Sequence, residues 1–250
     1  MKKEAISKRK LYKLLGQLES SRGDYVTLYV KPSSFPHYVN LLSLDPRHSE
    51  CVDEIKQLAN AKAVIQAAEK YETGAVIFWQ TSGNKYIVLP PFPISDNKVS
   101  LGKPDISLLQ ETLERKYTIG VILVAWGSYA VGIFRGDNLV ESKTGTGYIH
   151  KEHKKGGSSQ KRFARRTEEQ KKDFLRKVAN RIDERFENQS LDYIFFGGNR
   201  LILRPLSKEC SCLESQASKT CTRILHARYA DREALHQSLN EITMSLILTQ

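Results

Sequence analysis

The chain has 250 residues, 40% of them hydrophobic, and a formal net charge of +11. That is enough apolar material for one large or two modest cored domains, and the charge favours a polyanionic partner. No apolar run approaches the ~18 residues of a membrane span. The basic N-terminus lacks the apolar core and small-residue cleavage site of a secretory signal, so a cytoplasmic protein is expected.

In chain order, Leu11, Leu14, Leu15 and Leu18 share one face of a helix predicted over residues 8–20. A Gly23-Asp24 turn leads into a strand at 25–30, and Pro32, Pro36 and Pro46 mark an irregular connection. Residues 51–71 are rich in helix formers at helical spacing and predict one helix. The runs GAVIFWQ and KYIVLP follow as two strands around Ser82-Gly83-Asn84, a hairpin signal. The proline-rich segment 90–98 suggests a domain boundary, which divides the chain into residues 1–98 and 99–250.

The second part opens with a helix near 105–115 and continues with strands at 118–126, 129–136 and 138–144, joined by short turns. Thr167 with Gln170 reads as a capping box that starts a helix, with Glu168 and Glu169 suited to its positive end. Phe174, Leu175, Val178, Ile182 and Phe186 make its buried face. Residues 192–198, 201–206 and 222–228 read as strands, and a terminal helix runs from about Asp231 to Leu246. The alternation implies a layered α/β domain.

Between the meander and the capped helix lies the most unusual stretch, HKEHKKGGSSQKRFARR at residues 150–166. From His150 to Arg181 there are 12 Lys/Arg against 4 Asp/Glu, so most of the excess positive charge is local. Such concentration suits nucleic-acid contact, although a solvated basic helix has the same composition. Gly156 and Gly157 permit conformations closed to other residues, and Gln160 places one amide where flexible and basic elements meet. Gly145-Thr146-Gly147 imitates a phosphate-binding turn but lacks the lysine and following helix, and reads as a linker. His150 and His153 have metal-ligand spacing, with phosphate contact or solvent exposure the simpler account. Cys210, Cys212 and Cys221 form C-x-C-x8-C with His226 as a possible fourth ligand; reduced thiols are the default, and no cofactor or metal is expected. No helix-turn-helix pattern supports DNA binding.

The loop resembles that of the class-1 translation release factors of archaea and eukaryotes, which carry Gly-Gly-Gln followed by Ser, two variable residues and Arg-Phe. Gly156 and Gly157 match the glycines, and Ser159, Arg162 and Phe163 match the trailing residues. Ser158 occupies the glutamine position, and Gln160 follows two residues later. This G-x-x-Q spacing is similar to the release-factor-like peptidyl-tRNA hydrolases of ribosome-associated quality control, the VLRF group. The segment LLGQLESSRGDYVTLYV resembles the opening of release-factor domain 1, but no Asn-Ile-Lys-Ser tetrapeptide for stop-codon reading is found.

The resemblance implies a mixed-sheet RNase H-like catalytic domain with a smaller N-terminal α/β domain. It implies hydrolysis of peptidyl-tRNA on stalled large ribosomal subunits, with rRNA and peptidyl-tRNA as partners and no membrane or DNA. Gly156, Gly157, Ser158, Ser159 and Gln160 would form the catalytic loop. Lys154, Lys155, Lys161, Arg162, Arg165 and Arg166 would bind phosphates. Phe163 would either stack on a base or anchor the loop to the core. Cleavage of the tRNA 3′ end, with His150 or His153 as acid or base, and a non-catalytic ribosome-binding module stay open as alternatives.

Overall fold

The computed structural model describes residues 1–44, 49–80, 83–149 and 159–250, with the backbone path alone at 49, 50 and 159–161. The chain forms two compact units, Met1–Arg115 with Ile242–Gln250, and Lys116–Glu241.

In the first unit the strands are β1 (Lys2–Ile6), β2 (Tyr25–Val30), β3 (Ala75–Gln80), β4 (Tyr86–Leu89), β5 (Lys98–Gly102) and β10 (Ser245–Thr249). They form one antiparallel sheet in the order β1-β10-β4-β3-β2-β5. Every residue of β2 is buried, so both faces of the sheet are covered. Val26, Leu28 and Val30 pack on one side with residues of α3 (Ser49–Ala59) and α4 (Lys62–Tyr71). Tyr25 and Tyr29 pack on the other side with α1 (Lys8–Glu19) and α5 (Ser107–Glu114). The short helix α2 (His37–Asn40) follows a 3-10 turn at Pro32–Ser34. Pro46 and Ser82 lie outside the described residues.

Several expectations are corrected here. Residues 51–71 are two helices, because Asn60 turns its side-chain amide back to the Lys56 carbonyl (2.8 Å) and to Asn40 (2.6 Å), competing with continuation of the ladder. The prolines at 90–93 do not divide the units: β5 pairs with β2 from Tyr25↔Gly102 to Tyr29↔Lys98, and Leu109 of α5 is fully buried. The first unit therefore reaches Arg115 and is about as long as the second.

The second unit has strands β6 (Thr118–Ala125), β7 (Ser128–Arg135), β8 (Asn138–Thr146) and β9 (Tyr193–Gly198) in the order β8-β7-β6-β9. β9 runs parallel to β6 and the other pairs are antiparallel. The sheet is thus mixed, as expected. On one face Ile122, Val124, Val131 and Ile133 meet α6 (Ser159–Phe186), α7 (Arg200–Glu209) and α8 (Ser211–Ser215). On the other lies α9 (Arg232–Ile242), whose His236 ring stands 6.5 Å from Phe134.

Residues 201–206 are helical rather than extended: the Asn199 side chain accepts from Leu201 N (3.0 Å) and caps α7. Ile202, Leu203 and Leu206 then bury one face, and Pro205 is tolerated inside the helix. Residues 222–228 form no strand; Leu225 makes an isolated bridge to Gly197. The terminal helix stops at Ile242, and the chain returns to the first unit as β10.

Candidate nucleic-acid interface

Two elements carry the basic stretch. β8 delivers the chain from the meander as far as Thr146, and α6 takes it up again from Ser159. Gly147 N donates to Gly127 O (3.0 Å), which ties the end of β8 to the β6–β7 turn. Lys177 Nζ donates to Thr146 O (2.8 Å), which ties the same point to α6. Gly145-Thr146-Gly147 is therefore neither linker nor phosphate turn. A Cβ at Gly145 would come within 2.5 Å of the Tyr129 ring, and one at Gly147 within 2.6 Å of Phe174. The glycines let both aromatics lie against the strand end. Phe174 stands 6.2 Å from both Tyr129 and Trp126, and Lys171 Nζ lies 5.6 Å from the Trp126 ring centre.

The helix begins eight residues before the capping box. Thr167, expected as its first cap, is a buried interior position. The run from Gln160 to Arg166 holds no breaker and is made largely of helix formers, so it continues the helix toward the loop. Residues 162–166 are exposed all round, and the first residue to reach the core is Thr167. This leading segment packs no apolar face, and so it projects Arg162, Arg165 and Arg166 into solvent.

Arg165 Nε pairs with Glu169 at 3.1 Å, an exposed i,i+4 contact of small energetic weight. Among the described residues no carboxylate pairs with Arg162 or Arg166. Lys171 is held by Glu168 (2.7 Å) and Arg181 by Glu184 (2.6 Å). Within α6, the described Arg162 and Arg166 thus stand without a carboxylate partner at the start of the helix. Phe163 is 55% exposed and anchors nothing in the core.

Of the expected site residues, Arg162, Arg165 and Arg166 come together on the start of α6. Ser159, Gln160 and Lys161 occupy its first turn in backbone terms. Lys154, Lys155, Gly156, Gly157 and Ser158, with His150 and His153, lie outside the described residues.

The cysteines serve a different purpose. Cys210 Sγ donates to Asp183 Oδ1 (3.1 Å) and Cys212 N donates to the same oxygen (3.0 Å), which fastens the α7–α8 corner to α6. Burial pushes the Cys210 thiol up to about 12, so it stays protonated. His226 is engaged by Glu241 through its ring Nδ1 (2.7 Å) and its backbone N–H (2.9 Å). Among the described residues no group of three His, Cys, Asp or Glu side chains could hold a metal ion. No helix among them is long and apolar enough to cross a membrane.

Residues 117–247, just over half of the chain, match the model of the Actinobacteria/Chloroflexi VLRF1 release factor. The peptide chain release factor subunit 1 of Methanopyrus kandleri is 26% identical over 221 residues, which cover 77% of this chain and 52% of that protein. Its namesake from Aeropyrum pernix is 25% identical over 193 residues, covering 69% and 51%. The chain spans about half the length of the curated relatives it matches. An archaeal translation termination factor, aRF1, superposes with a TM-score of 0.41 at 18% identity, covering 95% of this chain and 70% of that one.

Proposed function

The chain belongs to the VLRF1 release factor family of Actinobacteria and Chloroflexi, and from that premise we propose that it hydrolyses peptidyl-tRNA on stalled large ribosomal subunits without reading a stop codon. The observation that carries this reading is the position of Gln160 in the first turn of a long helix whose leading cations, Arg162, Arg165 and Arg166, are exposed. In this proposal Lys116–Glu241 is the catalytic unit, and the protein works in the cytoplasm on rRNA and tRNA.

The substrate ester is already activated, so no strong protein nucleophile is needed. Water attacks the carbonyl carbon, the carbonyl oxygen becomes an oxyanion, and the ribose 3′ oxygen leaves with a proton. Gly156 and Gly157 let the backbone come close to the tRNA 3′ end. Ser158 and Ser159 belong to the proposed catalytic loop, between the glycines and Gln160. The Gln160 amide orients water, and positioning alone supplies a large part of a barrier reduction. Glutamine does not titrate, so it is no general base; the neighbouring ribose 2′-OH shares the proton transfer. The first backbone N–H groups of an α-helix have no partner within the helix, and its dipole favours negative charge there. The start of α6 is accordingly suited to a developing oxyanion. Lys154, Lys155, Lys161, Arg162, Arg165 and Arg166 bind the surrounding phosphates.

The test is incubation with a stalled peptidyl-tRNA complex, with peptide and tRNA resolved on one gel. Wild type should release peptide and leave the tRNA with an intact CCA end; a shortened tRNA would mean nuclease action. Gln160→Ala should lose release, by about 100-fold or more if it supplies a positioned polar group, while ribosome pelleting stays near wild type. Equal loss of pelleting would refute the catalytic role. Arg165→Ala with Arg166→Ala should weaken pelleting most at high salt, and unchanged binding at ~200 mM salt would refute the phosphate role.

A further inference from the structure

The first unit carries a second concentration of positive charge that the loop does not explain. Residues 1–16 hold six Lys/Arg against one Glu. Glu4 is engaged by Lys2 (3.3 Å) and Lys10 (3.8 Å). Arg9 and Lys13 are exposed, and among the described residues no carboxylate pairs with either. Helical spacing places Arg9, Lys13, Gly16 and Ser20 in one stripe, opposite the buried Leu11, Leu15 and Leu18.

Gly16 is the unexpected member. Glycine is among the least favourable residues inside a helix, and here no packing demands it. A Cβ at Gly16 would meet nothing within 4 Å. Its carbonyl accepts the regular bond from Ser20 N (3.1 Å) and a second from Ser20 Oγ (2.8 Å), so the helix is intact at this point. A bare patch of helix backbone, just beyond two unpaired cations, is what a close-lying strand of phosphates requires.

We propose that the outer face of α1 is a docking surface for an RNA sugar-phosphate backbone, with Arg9 and Lys13 neutralising phosphates and Gly16 allowing the strand to lie against the helix. A lipid surface fits less well, because the apolar face of α1 is already spent on the core and offers nothing to insert. The choice of RNA as ligand rests on the ribosomal reading above; the surface itself does not involve the loop.

The experiment uses the full chain carrying Arg162→Ala, Arg165→Ala and Arg166→Ala, so that the α6 contribution is suppressed. Binding of a short RNA duplex of arbitrary sequence is followed by fluorescence anisotropy across a salt series, with phosphatidylserine vesicles as a second probe. Adding Arg9→Ala and Lys13→Ala should lower the slope of log affinity against log salt by about two, one for each cation removed. Adding Gly16→Gln instead should raise the melting temperature, since glutamine is the better helix former, yet weaken RNA binding several-fold at unchanged slope. That opposition separates a docking role from a structural one. A Gly16→Gln protein that is more stable and binds RNA as tightly as before overturns the proposal. So does an unchanged slope in the Arg9/Lys13 variant, or binding to vesicles in place of RNA. None of these results depends on peptide release, so failure here and failure of the hydrolase reading are distinguishable.

Discussion

Asp105 shows how a single residue holds the first unit together. Its carboxylate accepts from Ser107 Oγ (2.6 Å), Ser107 N (3.1 Å) and Ser100 Oγ (2.9 Å), and pairs with Lys98 Nζ (2.6 Å). Its own backbone carbonyl accepts from the Tyr29 hydroxyl (2.7 Å). Burial acts to raise its pKa, but Lys98 and the Ser107 and Ser100 hydroxyls outweigh it and hold the carboxyl well below the usual range. The folded value is depressed, so the contribution is fully present above the ordinary carboxylate value of about 4 and is lost as pH falls below it. Asp105→Asn should therefore cost about 2 kcal/mol at neutral pH, and the gap from wild type should shrink in urea unfolding at acid pH. A gap independent of pH would show that the contacts act through shape alone. The sequence does not show this role, because Asp105 is locked to β2 through the Tyr29 and Thr27 hydroxyls, more than 70 residues away, which only the fold brings near. Arg162, Arg165 and Arg166 are the opposite case. Exposed cations beside a loop depend on local composition, and local composition can be read directly.

At the scale of elements, two glycines at the end of β8 leave no space for a side chain. Gly147→Ala places a methyl on the buried Phe174 ring, and Gly145→Ala places one on Tyr129. Both rings are buried. Each substitution should cost about 1–3 kcal/mol, as overpacking does, and each should displace the stem that Lys177 fixes to Thr146. Thermal unfolding measures the first effect. A drop in peptide release without loss of Arg-dependent ribosome binding measures the second; intact stability in both variants would show that the rings yield. The same region explains which elements were legible in the sequence. Long apolar runs such as those of β2, β6 and β9 announce themselves by composition. The start of α6 did not, because a good capping sequence at Thr167 sits inside a longer run of helix formers, and the longer run wins. Residues 201–206 read as a strand because Pro205 and the short apolar run LIL hide a helical spacing that only the Asn199 cap would have revealed.

At the scale of the molecule, the chain leaves its first unit at Arg115 and re-enters it at Ile242. β10 then sits between β1 and β4, with registers Ile6↔Ser245 and Leu246↔Leu89. A strand pairing with partners more than 150 residues away leaves no local trace, which is why β10 is missed and the terminal helix is expected to run on to Leu246. The consequence is energetic. Leu246, Ile247 and Leu248 are buried, and at ~1.5–3 kcal/mol for each side chain they contribute about 5–9 kcal/mol, comparable with the whole stability of a small domain. The two tryptophans separate the units: buried Trp79 belongs to the first, and Trp126, beside Phe174 and Lys171, to the second. Truncation after Thr243 should abolish the cooperative transition reported by Trp79 in a Trp126→Phe background. The transition reported by Trp126 in a Trp79→Phe background should survive, because β6–β9 and α6–α8 keep all of their partners. Loss of both signals together would mean that the units fold as one, and retention of both would mean that β10 is dispensable to the sheet it completes.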